Sequence, residues 1–286
     1  MLPHMSAPFL TTSANGLEFA YLEAGPSDGP LALCLHGFPD AAPTWNPLLA
    51  ALGDAGFHAV APWLRGYAPT QVPTDGVYGV GMLERDANAL HEALGGDERA
   101  VIIGHDWGAI ATYGTAIAAP ERWRRVVTMA VPPAPALGAG FLSYKQLQRS
   151  WYMFFFQSPM AEMAVGMNDL EFIDGLWADW SPGYDGSAHV SAVKDALRDG
   201  ANLAAAIGYY RAMLGGSEHP GTQGVPTQPV LYLHGHNDGC LGVDLTTSAA
   251  MFLSPESRVE VLEDCGHFLQ VEQPDLVNKL VLDWVS

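Results

Sequence analysis

The segment Val101-Ile102-Ile103-Gly104-His105-Asp106-Trp107-Gly108-Ala109 carries the most specific chemical signal in the chain. An apolar run enters a turn with glycine two places before and two places after Asp106, and a helical stretch follows. That is the G-x-S-x-G nucleophile elbow with aspartate where serine would stand. Small residues are needed because the turn packs strand against helix and holds its central residue in a strained backbone. The plainer reading is a strand-to-helix turn whose aspartate caps the helix, so the case rests on partners. Two follow in the order such a site requires. Leu231 to Asp238 ends an apolar run with an acid in the next loop, and Glu263-Asp264-Cys265-Gly266-His267-Phe268 places a histidine after the last apolar run. An isolated loop aspartate is usually a turn former. Asp244 and Asp264 are rivals, but Asp238 sits just past a strand's carboxyl end. The segment after Arg125–Ala130 offers no acid.

A fourth piece is His36-Gly37-Phe38-Pro39, directly after Leu31 to Leu35. A loop there supplies one backbone N–H of an oxyanion hole, and the residue after the nucleophile supplies the other, which points to Phe38 and Trp107. By itself it reads equally as a Gly-Pro turn. A carboxylate nucleophile attacks saturated carbon and becomes an alkyl ester, and water activated by His267 must then attack the Asp106 carbonyl. Epoxides and alkyl halides both suit that chemistry. A halide leaves with weak N–H donors, whereas an epoxide oxygen needs an acid. Tyr152 shares a helical face with Tyr144, Leu147, Trp151 and Phe155, and Tyr210 shares one with Leu203, Ile207 and Leu214. Those faces are apolar, and periodicity alone reads both tyrosines as packing residues. As acids, phenols with pKa near ~10 are far better donors than water.

The elements that must position these groups are legible. Strands are expected at Leu17 to Ala24, Leu31 to Leu35, Phe57 to Ala61, Ala100 to Ile103 and Arg125 to Ala130. Helices are expected at Thr44 to Leu52, Gly81 to Leu94 and Trp107 to Ala119. Short apolar strands alternating with helices predict an α/β fold with a mostly parallel central sheet covered on both faces. After Val131 the prolines 132, 133 and 135 break the pattern, and Phe141 to about Leu214 reads as helical and aromatic. The alternation resumes with strands at Val230 to His234 and Arg258 to Leu262, a helix between them and a last helix at Gln273 to Val285. This predicts a core domain of 1–131 and 223–286 and an inserted helical cap of 132–222 over the carboxyl ends of the strands, where such sheets keep their ligands.

Composition narrows the function. Of 286 residues, 49% are hydrophobic, enough for a sizeable core. The net charge of −18 argues against nucleic acid and anionic membrane as partners and mildly favours a neutral substrate. Cys34, Cys240 and Cys265 form no disulfide framework and read as free thiols of a reducing, cytoplasmic compartment. No metal-ligand spacing stands out, so no metal or other cofactor is expected. Met1 to Leu10 has no signal-peptide pattern, His4-Met5 reads as a cloning scar, and no run reaches the ~18 apolar residues of a membrane span.

In these motifs the sequence resembles the α/β-hydrolase-fold epoxide hydrolases over essentially its whole length. His36-Gly37-Phe38-Pro39, Gly104-His105-Asp106-Trp107-Gly108, Trp151-Tyr152 with Phe156-Gln157, Tyr209-Tyr210-Arg211 and Gly266-His267-Phe268 carry the resemblance. It implies an α/β-hydrolase fold with Asp106 as nucleophile, His267 as base, Asp238 as its orienting acid and Tyr152 with Tyr210 as the acid pair. His36, Pro39, Trp151, Phe155 and Phe268 are expected to line the substrate pocket. One departure is Trp63, in Trp63-Leu64-Arg65-Gly66-Tyr67, where the family usually has an acid. The resemblance implies epoxide hydrolysis, in the role of detoxification, with water as co-substrate. A lid rich in Phe, Trp and Met suggests an apolar or aromatic epoxide, handled by a monomer or homodimer. One alternative is a haloalkane dehalogenase, but those usually have Asn at the position of Phe38 and lack the tyrosine pair. Fluoroacetate dehalogenases carry Arg where Trp107 stands. A non-enzymatic ligand receptor on the same fold is the other alternative.

Overall fold

A computed structural model describes residues 9–286. The His4-Met5 pair and most of Met1 to Leu10 lie outside the described residues. Eight strands form one sheet in the order β1-β2-β4-β3-β5-β6-β7-β8. They are β1 (Leu10–Ala14), β2 (Leu17–Ala24), β3 (Leu31–Leu35), β4 (His58–Pro62), β5 (Val101–His105), β6 (Arg125–Met129), β7 (Val230–Gly235) and β8 (Arg258–Leu262). β1 pairs antiparallel with β2, and β2 antiparallel with β4; from β4 to β8 every pairing is parallel. Strands β3, β4, β5 and β7 are buried along their whole length, as their unbroken apolar runs require when both faces are covered.

The helices are α1 (Asn46–Asp54), α2 (Val80–Ala93), α3 (Trp107–Ala118), α4 (Ala134–Gly140), α5 (Tyr144–Arg149), α6 (Trp151–Phe155), α7 (Ala161–Gly166), α8 (Glu171–Trp180), α9 (Ser187–Leu197), α10 (Gly200–Gly215), α11 (Ala249–Phe252), α12 (Leu269–Glu272) and α13 (Pro274–Val285). In the core, α2 packs on α3 and α1 on α13, and these pairs flank the sheet. Gly95, at φ 72°, takes the left-handed conformation that ends α2. Helices α4 to α10 all fall between β6 and β7, so the interruption after Val131 is a wholly helical insert.

Three expectations change. The strand β1 was not anticipated: Asn15 and Gly16, both at positive φ (45° and 77°), fold β1 back on β2 as a tight hairpin. The prolines after Val131 do not delay the insert, because Pro135 sits in the first turn of α4, where its missing N–H costs nothing. The stretch around Tyr152 is two short helices, not one face: Ser150 separates α5 from α6, so Tyr144 and Trp151 are exposed while Tyr152 is buried.

Candidate active site

Asp106 stands at the turn from β5 to α3 with φ 52° and ψ −118°, a conformation that side-chain-bearing residues avoid. The strain is sustained because its surroundings leave no slack. A Cβ on Gly104 would run into the Gly108 carbonyl, and one on Gly108 into the Leu35 carbonyl. Gly37 is constrained in the same way by the Asp106 side chain, so the loop after β3 can close over the carboxylate only without a side chain there. That approach lets the Phe38 N–H donate to Asp106 Oδ1 at 2.8 Å. Burial raises the pKa of Asp106, opposed by His267, His105 and the backbone N–H groups of Phe38 and Trp107.

His267 follows β8. Its Nδ1–H donates to Asp238 Oδ2 at 2.9 Å, and its Nε2 points at Asp106 Oδ2 from 3.7 Å. Nε2 is buried and has no hydrogen-bond partner. Burial pulls the imidazole pKa down, but Asp238, Asp106 and Glu272 outweigh it and leave His267 above the usual histidine value. Asp238 resists its own burial through His267, His234 and the Leu241 N–H, and lies below the usual aspartate value. Its Oδ1 accepts from the backbone N–H groups of Cys240 (2.7 Å) and Leu241 (2.8 Å), which fixes the carboxylate. Asp244 and Asp264, the rival acids, are exposed.

Tyr152 and Tyr210 meet across the insert, with ring centroids 5.5 Å apart. Both are buried, and both hydroxyls are pushed well above the usual phenol pKa by burial, with Cys240 and Asp106 adding to the rise. The Tyr152 hydroxyl shares a 3.4 Å hydrogen bond with Cys240 Sγ. The Tyr210 hydroxyl makes no hydrogen bond; the Trp107 indole beside it is the one neighbour that opposes its pKa rise. Backbone contacts hold the two helices together. Gln157 Nε2 donates to the carbonyls of Met153 (3.0 Å) and Tyr210 (3.1 Å), and Arg211 Nε donates to the Phe156 carbonyl (3.0 Å). This explains the paired motifs Phe156-Gln157 and Tyr209-Tyr210-Arg211 as one clamp.

Asp106, Trp107, Tyr152, Tyr210 and Cys240 line a cavity of about 410 Å³ whose remaining wall is mostly apolar, including Leu137 and Met213. The residues expected in the pocket wall are not among those lining it. His36 is turned into the core, its Nδ1–H donating to the Gly37 carbonyl (2.9 Å) and its Nε2 accepting from the Leu64 N–H (3.0 Å). Pro39 offers its carbonyl to Trp177 Nε1 (2.8 Å), and Phe268 stacks on Trp177 at 3.6 Å. Trp151 and Phe155 pack with Phe172 on the far side of α6. Pro39, Trp151 and Phe268 lie directly beside Phe38, Tyr152 and His267 in sequence, yet pack away from the cavity. Wall residues from α4 and the end of α10, such as Leu137 and Met213, went unrecognised because nothing in their spacing marks them as more than helix.

Two supports were also missed. The Trp180 carbonyl, at the end of α8, accepts from the N–H groups of Gly239 (3.0 Å) and His267 (3.1 Å), tying both site loops to the insert. His105 Nε2–H donates to the His267 carbonyl (2.9 Å), while its Nδ1 faces Asp40 at 3.5 Å. Cys240, read as a plain free thiol, forms with Asp106 and His267 a set of possible ligand atoms within 4.8 Å of one another.

An acid at the strained elbow after a central strand, a histidine after the last strand, and an acid between them on one mostly parallel sheet define a class of hydrolytic enzyme. The Alpha/beta hydrolase family model matches residues 32–280, and the chain belongs to that family. It is 30% identical over 276 residues to human Epoxide hydrolase 4, covering 93% of this chain and 75% of that protein. It is 29% identical to AB hydrolase superfamily protein YfhM of Bacillus subtilis, over 96% of each chain. The crystal structure of a Bacillus megaterium epoxide hydrolase in complex with an inhibitor matches with a TM-score of 0.85 at 25% identity, covering 96% of this chain and 99% of that one. Within its family, then, the chain is an enzyme grouped with the epoxide hydrolases.

Proposed function

We propose that the protein hydrolyses epoxides to vicinal diols through a covalent ester on Asp106, in a core of 1–131 and 223–286 capped by 132–222. The observation that carries this reading is the pair of buried phenols, Tyr152 and Tyr210, in the same cavity as a carboxylate whose Oδ1 is already held by a backbone N–H. Asp106 Oδ2 attacks a ring carbon as the ring C–O bond breaks. The oxygen takes a proton from one phenol, which burial and Asp106 keep protonated until then. Water then adds to the Asp106 carboxyl carbon and His267 Nε2 takes its proton. The oxyanion forms on Oδ1, where the Phe38 N–H already donates and the Trp107 N–H lies close. The ester C–O bond breaks, the diol oxygen takes the proton from His267, and the Asp106 carboxyl proton returns to the tyrosinate.

Trp107 and the phenols, with an apolar wall, favour a neutral epoxide bearing an apolar or aromatic group. Purified protein offered an aryl-substituted terminal epoxide and a 1-haloalkane should release diol from the first and no halide from the second. Halide release without diol would make it a dehalogenase, and turnover of neither would favour a receptor.

A further inference from the structure

We infer that Asp106, Cys240 and His267 form a site for a thiophilic divalent cation, with Zn²⁺ as its prototype. Among the described residues these three are the one cluster of His, Cys and acidic groups gathered closely enough to hold an ion, with ligand atoms within 4.8 Å of one another. Asp106 and His267 each have their second atom already committed elsewhere, and Cys240 offers its Sγ, which now shares a hydrogen bond with the Tyr152 hydroxyl. Oδ1 of Asp106 accepts from Phe38, which leaves Oδ2, and Nδ1 of His267 donates to Asp238, which leaves Nε2 buried and unpaired. The Nε2–Oδ2 separation is 3.7 Å. A tetrahedral ion with ligand bonds near 2.0 Å needs about 3.3 Å, so a few tenths of an ångström of closure suffices for that edge. A carboxylate on the outer nitrogen of the ligating histidine is the usual support for such a ligand, and Asp238 supplies it. The cavity leaves a fourth position open.

Charge and ligand type decide which ion. Among the described residues no Lys or Arg lines the cavity, Arg149 is the one cation whose charge acts on Cys240, and Asp106 and Asp238 stand on either side of His267. One sulfur, one imidazole and one carboxylate suit zinc and its soft relatives, whereas Mg²⁺ and Ca²⁺ require oxygen ligands. The plainer role of Cys240 is a small buried side chain hydrogen-bonded to Tyr152. Burial and the two carboxylates hold its thiol protonated, so ion binding must expel that proton. An ion there takes the lone pair of the proposed nucleophile and that of the proposed base together, so it competes with substrate.

The test needs no substrate. Chelator-stripped protein titrated calorimetrically with zinc sulfate should bind one ion per chain and release at least one proton, counted by repeating the titration in buffers of different ionisation enthalpy. Co²⁺ should give a near-ultraviolet sulfur-to-cobalt charge-transfer band. Cys240→Val and Cys240→Ser should both abolish the band and weaken zinc binding by at least about tenfold, and His267→Gln should weaken it similarly. Zinc binding unaltered by these changes, absence of the cobalt band, or no binding at all overturns the inference; the first would put the ion on the acidic surface instead. The inference shares residues with the proposed function but not its chemistry. Loss of epoxide turnover would leave the binding result standing, and the reverse holds as well.

Discussion

The residue with the most to explain is His267, whose nitrogens face two carboxylates with different tasks. Asp106 needs no base to attack, because a carboxylate is ionised at neutral pH unless its pKa is raised severely. His267→Gln is therefore expected to leave ring opening intact and stop ester hydrolysis. Mass spectrometry of the intact variant after mixing with substrate should show one epoxide mass added per chain, mapped to Asp106; a variant that stays unmodified would make Asp106 a general base. In the proposed mechanism neutral His267 is the active form, and its pKa lies above the usual value. The acid limb of the kcat profile should then have its midpoint above ~6.5. Asp238 is the largest of the influences that raise it. In Asp238→Asn the limb should move to lower pH, because burial then dominates, while the rate falls about 10²-fold or more as the imidazole loses its tautomer and orientation. A limb that stays in place would separate His267 from the rate-limiting proton transfer.

At the scale of elements, Tyr152 depends on a helix that is marginal by itself, held against the longer α10 that carries Tyr210. α6 has five residues, too few to stand alone, and is held through Gln157 and the Arg211 side chain of α10, which also pairs with Glu162 on α7. The two phenols differ in surroundings, since Tyr152 is tied to Cys240 and Tyr210 is not. Tyr152→Phe and Tyr210→Phe should each slow adduct formation, and the double variant should lose roughly 10²–10⁴-fold in stopped-flow measurement of that step. Near-normal ring opening in the double variant would remove the case for an epoxide over a halide. β2, β3 and β8 begin and end where they were expected, and β4 is shifted by one residue from the expected Phe57 to Ala61. The break at Ser150 was not legible, because both halves of the stretch carry helix-compatible residues and only burial tells them apart.

For the whole molecule, the loop after β4 joins core to insert. Arg65 is buried and bonds both oxygens of Asp86 on α2 (2.6 and 2.7 Å), the Arg65 carbonyl accepts from Tyr209 (2.8 Å), and the Gly66 carbonyl accepts from Asn202 (2.7 Å). Trp63, where the family usually has an acid, is itself buried and presents its carbonyl to Thr70 (2.8 Å). Arg65→Met would strand Asp86 in the core and should cost about 3–5 kcal/mol in urea unfolding. Losing Asp86 as well, in Arg65→Met with Asp86→Leu, should recover much of it; a single variant as stable as the parent would mean the pair adds nothing.

What this sequence determined by itself was the part of the protein written in local chemistry. The elbow glycines around Asp106, the motif at Gly37–Phe38 and the strand-then-loop positions of Asp238 and His267 are short-range consequences of backbone sterics and of apolar runs, so they could be read before any fold existed. What only the tertiary structure decided was direction and company. Tyr152 and Trp151 are adjacent in sequence, yet one enters the cavity and the other does not, because that depends on how α6 rotates against α10. The clamp of Trp180 on both site loops forms only when the insert seats on the sheet, and the closeness of Cys240 to Asp106 and His267 comes from the strand order, which brings the loops after β5, β7 and β8 to one edge. No periodicity records such a meeting, since the residues are far apart along the chain and close only in the packed molecule.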